Sequence, residues 1–394
     1  MDWEVKKLGE VCDFQNGFAF KSKLFTPEGL PILRISNIQQ DKISYQRLVF
    51  FKKGSYNINF DQYGVNEGDL VIAMSGATTG KIAISDTKET FYLNQRVGKF
   101  KPRDGLHNKY LYYFLTTRIE KNLKISQGSA QPNLSTEQIK NFEIPVPPLP
   151  IQKKIVAILD KAFERISKAK ENAERNLKNA KEVFESYLQN VFENKGGGWE
   201  EKTLNEVVEV ERGSSPRPIK KYITTKDDGV NWIKIGDTKG VDKYIYKTGQ
   251  KITPEGALKS RFVDVGDFIL SNSMSFGKPY IMKTQGYIHD GWFVFRLPKS
   301  IDTEFLWYLL ASPFVMDQFI QLSSGAIVKN ISGDLVKKTI LPIPPIKEQK
   351  VMVIKFDSIS QETKKLESIY NQKLQDLEEL KRSILQKAFK GELT

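Results

Sequence analysis

The most constraining feature of this sequence is that its first half recurs in its second half. Residues 3–11 return as residues 199–207, an offset of 199 − 3 = 196. Gly80-Lys81 returns as Gly277-Lys278, and Pro147-Pro148 returns as Pro344-Pro345, both at an offset of 197. Solenoid repeats are roughly 20–50 residues long. Each copy is therefore a whole domain with its connecting segment, and such a duplication suits a protein that grips two sites at a fixed separation.

The charge balance favours a polyanion as ligand. The 394 residues include 60 Lys+Arg against 47 Asp+Glu, a net charge of +13, although a merely soluble basic protein is the simpler alternative. The single Cys12 excludes a disulfide framework and favours a reducing cytoplasm. The N-terminus lacks the pattern of a signal peptide, and no apolar run reaches the roughly 18 residues of a membrane span.

Each copy combines a strand-rich part with a long helical part. From residue 3 to about residue 143, β-branched and aromatic residues alternate with turn residues, as in Gly68-Asp69-Leu70-Val71-Ile72, which predicts strands. One helix is predicted at residues 109–121, with its counterpart around Phe305 to Leu310. Residues 144–150, with Pro147-Pro148, predict an extended strap because proline is excluded from helix interiors. The fold class is therefore α+β.

After each strap the hydrophobic period becomes that of a coiled coil. From Ile155 to Val191 the apolar residues advance in steps of three and four, and a second such series begins at Met352. Small residues of the first series (Ala162, Ala169, Ala173, Ala180) match large ones of the second (Ile359, Leu366, Tyr370, Leu377). Small and large seams pack well together. We therefore predict that the two helices pair antiparallel within the chain; the alternative is that each helix lies on its own domain.

The sequence contains no convincing catalytic motif. Residues 75–82 resemble a phosphate-binding loop, but Gly76 and Gly80 are too close together and Ile82 stands where Ser or Thr is needed. His107 and His289 are the only histidines, too few for a histidine metal site. Glu200-Glu201-Lys202 is better explained by surface charge or helix capping than by a nuclease site.

Polar loops are the best candidates for contacts with nucleic acid. The Gly80-Lys81 and Gly277-Lys278 turns would expose backbone amides beside a cation, suitable for phosphate, although a plain β-turn is the alternative. The segment at residues 127–135 offers amide side chains that suit bidentate contacts with adenine, and its counterpart at residues 324–332 adds a lysine. Helix capping at Ser135 or Ser332 also fits. Arg96 lies in a turn whose counterpart, residues 288–292, differs, so the two domains should read different sequences. The remaining candidates are Gln127, Ser129, Gln131 and Asn133 in the first copy and Ser324, Lys329 and Asn330 in the second.

The whole chain resembles the specificity subunit of type I restriction-modification systems. The strap followed by Ile151-Gln152-Lys153, and by Lys347-Glu348-Gln349-Lys350 in the second copy, is the most specific local match. This resemblance implies target-recognition domains at 1–148 and 196–343 and conserved helical regions at 149–195 and 344–394. Each domain would read one half of a bipartite asymmetric DNA target, and the helices would set the spacer.

The resemblance also implies the partners. Two modification subunits, which carry S-adenosylmethionine, would dock on the helices, and restriction subunits that need ATP and Mg²⁺ would join them; this chain itself would hold no cofactor and no metal. A self-contained DNA methyltransferase or nuclease is the alternative, but it needs a motif that the sequence lacks. A coiled-coil scaffold without nucleic acid would leave the duplicated polar loops without a role.

Overall fold

A computed structural model of the chain describes residues 3–118, 133–272, 277–322 and 332–393. Its internal contacts divide the chain into two compact units: Met1–Ala173 with Lys373–Thr394, and Glu174–Gln372. The division cuts both long helices. Each unit therefore contains one strand-rich domain, part of the helix that follows the first domain and part of the helix that ends the chain.

The first unit contains two four-stranded sheets. One has the strand order β6-β3-β10-β7 and the other β2-β11-β8-β9, while β1 pairs with β12 and β4 with β5. The strands are β1 (Val5–Lys7), β2 (Cys12–Asn16), β3 (Leu30–Leu33), β4 (Ile38–Gln39), β5 (Lys42–Ile43), β6 (Val49–Phe51), β7 (Gly64–Val65), β8 (Leu70–Ala73), β9 (Ile82–Ile84), β10 (Phe91–Leu93), β11 (Val97–Pro102) and β12 (Glu143–Pro145).

The second unit repeats this arrangement with one more strand in each large sheet. Its sheets have the orders β14-β23-β20-β21-β17 and β15-β18-β16-β22-β19, and β13 pairs with β24. The strands are β13 (Glu200–Thr203), β14 (Glu209–Arg212), β15 (Ile223–Thr224), β16 (Val230–Ile233), β17 (Tyr244–Ile245), β18 (Gln250–Ile252), β19 (Arg261–Val263), β20 (Phe268–Ser271), β21 (Pro279–Met282), β22 (Gly286–Ile288), β23 (Trp292–Arg296) and β24 (Ile340–Ile343). The repeat seen in the sequence is thus a repeat of the fold.

Alternation along one strand joins two cores in each domain. In β8, Leu70 and Ile72 face a core shared with helices, whereas Val71 and Ala73 face the other sheet. In β20, Phe268 and Ile269 divide in the same way. Successive side chains of a strand point to opposite faces, so the continuous apolar runs of the sequence mark strands buried on both sides.

Ten α-helices lie in the described part of the chain. Ser135 caps α3: its Oγ accepts from the Gln138 N–H at 3.1 Å, and its own N–H donates to Gln138 Oε1 at 2.8 Å. Ser332 caps α9 through Leu335 N–H, so both predicted caps are confirmed. The helices are α1 (Leu8–Val11), α2 (Asn108–Thr116), α3 (Thr136–Lys140), α4 (Leu149–Glu193), α5 (Leu204–Val207), α6 (Pro254–Ala257), α7 (Thr303–Ala311), α8 (Pro313–Leu322), α9 (Gly333–Lys337) and α10 (Ile346–Phe389).

The pairing of the long helices α4 and α10 is confirmed in each unit. In the first, Lys170 Nζ lies 2.6 Å from Glu378 Oε1, and Lys381 Nζ lies 5.3 Å from the Phe163 ring centroid. Rising numbers on α4 therefore meet falling numbers on α10, and the helices run antiparallel. In the second unit the Phe356 ring contacts the rings of Tyr187 and Phe192. The alternative also holds in part, because the helices pack on the domains as well: Ile155 and Leu159 join the first domain's core.

Three local predictions need correction. The helix predicted over residues 109–121 ends at Thr116, where the hydroxyls of Thr116 and Thr117 donate to the carbonyls one turn earlier; residues 119–121 lie outside the described residues. The strap is shorter than predicted, since α4 begins at Leu149 and includes Pro150. Proline is tolerated in a first helical turn, where its missing N–H has no partner to lose. Leu366, predicted to lie in the seam, is 42% exposed, whereas Thr363 of the same predicted series is buried.

Candidate nucleic-acid interface

One end of the helix-facing sheet gathers the loops of the first domain. In the register of this sheet, Val97 lies opposite Ala73, Gly98 opposite Asn16, and Ile72 opposite Ile82. Three segments therefore leave the sheet at the same end of its strands: the turns at 74–81 and 94–96 and the segment 17–24. We call this end of each domain the loop end. In the second domain it comprises 213–222, 289–291 and the described parts of 272–278.

The loop end brings together several of the predicted site residues. Gly80 and Lys81 lie in its first turn, and the exposed Arg96 lies in its second, where the carbonyl of Arg96 accepts from Met74 N–H at 2.9 Å. Asn133 forms an isolated bridge with Ser75. In the second domain, Gly277 and Lys278 take the equivalent place. Gln127, Ser129, Gln131, Ser324, Lys329 and Asn330 lie outside the described residues.

The backbone N–H groups of the glycine-lysine turns form hydrogen bonds within their own domains. Gly80 N–H donates to the Ala73 carbonyl at 2.8 Å and Lys81 N–H to the Thr78 carbonyl at 3.0 Å. In the second copy, Gly277 N–H donates to the Ser271 carbonyl at 3.0 Å. These three N–H groups, which we expected to face a phosphate, are therefore engaged within the protein. The alternative of a plain turn describes the backbone, with Gly80 at a φ of 82° and Gly277 at 66°.

The two lysines of these turns differ in their surroundings. Among the described residues, Lys81 makes no hydrogen bond or ion pair through its half-buried side chain. Lys278 Nζ donates to the Val241 carbonyl at 3.1 Å and lies 5.3 Å from the centroid of the Tyr280 ring. Lys81 is therefore the better candidate for a phosphate, whereas Lys278 is held within its own domain.

One glycine makes a close crossing at each loop end. Gly17 N–H donates to the Val97 carbonyl at 3.0 Å, and a Cβ on Gly17 would lie 2.1 Å from the Asn94 oxygen. Gly213 repeats both features with Trp292 and His289, at 2.8 and 2.1 Å. Only glycine permits this approach. The crossing carries the chain after β2 or β14 over the neighbouring turn, so both segments form one surface.

This crossing segment carries cations that the sequence reasoning missed. Lys21 and Lys23 are exposed in the first domain, and Arg217, Lys220 and Lys221 are exposed in the second. They follow Gly17 and Gly213 by similar distances, so an alignment of the two copies on these glycines would have found them. Clustered exposed cations are the expected electrostatic footprint of a nucleic-acid surface.

The turn at 289–291 is fixed by buried and charged contacts. The N–H groups of Ile235 and Gly291 point at the two ring nitrogens of His289, and burial lowers the pKa of this histidine. The uncharged ring can accept from one of these N–H groups, whereas the imidazolium can accept from neither, so the arrangement favours the uncharged ring. Asp290 accepts from Ser215 Oγ at 2.5 Å and from Arg217 at 2.9 Å. The hydrogen bond from Ser215, with a smaller contribution from the charge of Arg217, lowers the pKa of Asp290.

An open pocket of about 410 Å³ adjoins this turn in the second domain. Its apolar floor includes Trp232 and Ile235, and its rim includes Arg217, Lys234 and Gln250. The lining also includes the carboxylate of Asp290. Hydrogen-bond donors and acceptors beside apolar side chains match the mixture of contacts that base edges require.

The described residues show neither a candidate metal centre nor a reactive thiol. They contain no group of three His, Cys, Asp or Glu side chains that could hold a metal ion. Burial raises the pKa of the Cys12 thiol to about 12, which disfavours the reactive thiolate. Within the described residues, no helix is long and apolar enough to cross a membrane.

Comparison with known proteins connects this geometry with a family. A family model described as the type I restriction modification DNA specificity domain matches residues 1–175 and again residues 196–378. The EcoBI specificity subunit of a type I restriction enzyme from Escherichia coli is 25% identical over 427 residues, covering 100% of this chain and 86% of that protein. The MjaVIII specificity subunit from Methanocaldococcus jannaschii is also 25% identical, covering 100% of this chain and 93% of that protein.

A solved structure shares the fold. A chain from a study of complex assembly and conformational transition of the type I R-M system has a TM-score of 0.81 at 21% identity, over 99% of this chain and 98% of that chain. The architecture of two domains and two long helices is therefore common to both proteins.

Proposed function

Because this chain belongs to the family of type I restriction-modification DNA specificity domains, we propose that it is the subunit that selects DNA sequence in such a system. Each of its two domains reads one half of a bipartite, asymmetric target on double-stranded DNA. The proposed division is 1–148 and 196–343 for the two target-recognition domains, with 149–195 and 344–394 as the helical regions that set the spacer.

The observation that carries this proposal is the pair of matched loop ends with different side chains. In both domains the chain crosses a turn at a glycine, and the segment that follows this glycine carries exposed cations. The turn itself reads Asn94-Gln95-Arg96 in the first domain and His289-Asp290-Gly291 in the second. Phosphate contacts hold register while base-edge contacts carry the sequence, so a common frame with different turns suits two different half-sites.

The net charge of +13 supports binding to the phosphate backbone. Neutralising phosphates releases counterions, so affinity should fall steeply with salt concentration. This property separates the proposal from a coiled-coil scaffold without a nucleic-acid partner, because such a scaffold would show no salt-dependent binding to duplex DNA.

The helices are the proposed docking site for two modification subunits. On α10, Val351 and Ile354 are 66% and 72% exposed, and residues three apart lie on the same face of a helix. We infer that the modification subunits bring S-adenosylmethionine, that restriction subunits bring ATP and Mg²⁺, and that the complex works in the cytoplasm, where the DNA lies. Co-purification with the modification subunit should be lost in the Val351→Asp, Ile354→Asp double variant and retained in the control Lys350→Ala.

The alternative of a self-contained methyltransferase or nuclease is not favoured, because the family is defined by DNA specificity. The purified chain should neither methylate nor cleave DNA with S-adenosylmethionine, ATP or Mg²⁺ added. Methyl transfer by the rigorously purified chain would overturn this proposal.

The sharpest experiment exchanges one domain. Replacing residues 3–143 by the equivalent segment of a family member, in the complex with modification subunits, should change one half of the methylated site. The other half and the spacer should stay the same when methylated bases are mapped across a genome. A reciprocal exchange of the second domain is the matched control. If a single exchange altered both halves together, the two domains would not be independent readers.

A further inference from the structure

An exposed arginine stands in a fixed position at the loop end of the second domain. Arg217 has a side chain that is 74% exposed, and its terminal nitrogen donates to Asp290 Oδ2 at 2.9 Å. The other oxygen of Asp290 accepts from Ser215 Oγ at 2.5 Å. An exposed ion pair stabilises a fold very little, so the folding of this domain does not explain the arrangement.

The carboxylate that holds Arg217 is itself anchored. The Asp290 carbonyl accepts from the Asn272 side chain at 2.9 Å, and the Asp290 N–H donates to Ser215 Oγ at 3.3 Å. The loop around Arg217 is restrained as well, because Pro216 and Pro218 flank it and each has a fixed φ. The guanidinium is thus ordered before any ligand arrives, which reduces the entropy lost on binding.

The remaining donors of Arg217 are available to a ligand. Among the described residues, its only polar partner is Asp290, so the other N–H groups of the guanidinium face no acceptor. Arginine presents its donors as a rigid planar fork, and this fork matches the O6 and N7 acceptors of guanine in the major groove. The neighbouring carboxylate cancels the positive charge locally, which weakens attraction to a phosphate but not hydrogen bonding to an uncharged base edge.

The first domain lacks this pair at the matching positions. Lys21 corresponds to Arg217, at an offset of 217 − 21 = 196, and Gln95 corresponds to Asp290, at an offset of 290 − 95 = 195. The first offset equals that of the crossing glycines, 213 − 17 = 196. The second equals that of the turn residues these glycines approach, 289 − 94 = 195. Lysine carries no planar fork and glutamine no charge, so the two loop ends differ at this place in chemistry rather than in frame.

We propose that Arg217, held by Asp290 and Ser215, reads a guanine through its O6 and N7 atoms in the half-site of the second domain. This inference rests on the proposed function, because it names the base and the residue by which one domain recognises its half of the target. Asp290 and Ser215 are positioning residues that act through the arginine.

The test uses the complex of the full chain with its modification subunits and its mapped target. Duplexes in which each guanine of the second half-site is replaced singly by 7-deazaguanine, which lacks the N7 acceptor, are compared in binding to wild type and to Arg217→Lys. With wild type, 7-deazaguanine should weaken binding at one position. With Arg217→Lys, duplexes with guanine and with 7-deazaguanine at that position should bind equally well. Discrimination against the other bases there should fall about 5- to 150-fold.

Controls separate a reading contact from general effects. Lys220→Ala, on the same segment, should weaken binding to all duplexes equally and leave discrimination intact. Asp290→Asn should reduce discrimination at the same position as Arg217→Lys, with unchanged binding of a duplex that carries the wrong base there. Melting curves of each variant report whether the domain remains folded.

Two results would overturn the inference: a second half-site without any G·C pair, or an Arg217→Lys complex that keeps full discrimination at every guanine of that half. Failure of the proposed function looks different, because the wild-type complex would then show no sequence preference on any duplex.

Discussion

The joint between each domain and its long helix depends on one buried glutamine, and its replacement gives a sharp test of the fold. Gln152 is fully buried in the first turn of α4. Its Nε2 donates to the carbonyls of Gly105 and Pro147, both at 2.8 Å, and its Oε1 accepts from His107 N–H at 2.8 Å. The amide thus ties the helix to the strap before it and to the loop that follows β11.

Gln152→Glu keeps the shape and removes the two donors. Each buried carbonyl left without its partner costs about 1–3 kcal/mol, and the carboxylate would face both carbonyls. We expect the free energy of unfolding of the first unit to fall by about 2–4 kcal/mol at neutral pH, since the two losses share one site and are not fully additive. Lowering the pH should restore part of this loss, because a protonated carboxyl regains one donor.

The assay is hydrogen exchange of the amides in residues 105–116 and 149–160, measured by mass spectrometry in increasing urea. Lys153→Glu makes the same kind of acidic substitution at an exposed neighbour and serves as the matched control. Gln349→Glu should show an equal loss in the second unit, because Gln349 contacts Ser300, Pro344 and Asp302 in the same way. A Gln152→Glu protein as stable as the Lys153→Glu control would refute the reasoning.

Three further predictions follow from single side chains. Lys81→Ala should weaken binding to all duplexes and lower the salt slope by about 1, whereas Lys278→Ala should mainly reduce stability, because its ammonium is bound within its domain; titrations at several salt concentrations and thermal melts separate the two. Burial lowers the pKa of His289 from its usual 6.5, so the folded state takes up its proton less readily than the unfolded chain. Stability of the second unit is therefore complete above about pH 6.5 and declines as the pH falls below it, and His289→Asn should flatten that decline in urea titrations at pH 7.5 and 5.5. Phe356→Ala should lower stability by about 3–5 kcal/mol, because its buried ring contacts Tyr187, Phe192 and Tyr308; the exposed Val351→Ala should stay within about 0.5 kcal/mol of wild type.

The repeat, the fold class and the helix pair could be predicted because each leaves a local signature. Periodicity marks α4 and α10, and the Ser135-Thr136-Glu137-Gln138 sequence marks a capping box whose bonds depend only on neighbouring residues. The strap was predicted too long because its end has no such local signature. Proline excludes the helix interior, but Pro150 lies in a first turn, and the sequence alone does not say where that turn begins.

The loop end could not be predicted, because it depends on strand order. Gly17 and Asn94 are 94 − 17 = 77 residues apart, and they meet because β2, which precedes Gly17, pairs with β11, which follows Asn94. The turn at Gly80-Lys81 was read as a source of free amides, yet the Ala73 carbonyl, supplied by the preceding strand, binds one of them. Arg217 and Asp290 lie in segments separated by the eight strands β15 to β22 of one domain, so their ion pair has no signature in the sequence.

The separate cores of the two units suit the proposed role of the two domains as independent readers. The described cores of the first unit draw only on its own residues and those of the second on theirs. The buried glutamines, the serine caps and the crossing glycines recur in both, so the frame is common. At the turn that the glycine covers, Asn94-Gln95-Arg96 and His289-Asp290-Gly291 differ in charge and shape. Side chains that do not share contacts contribute nearly additive free energies, so base preference in one domain can change while the frame, and the reading by the other domain, stay as they are.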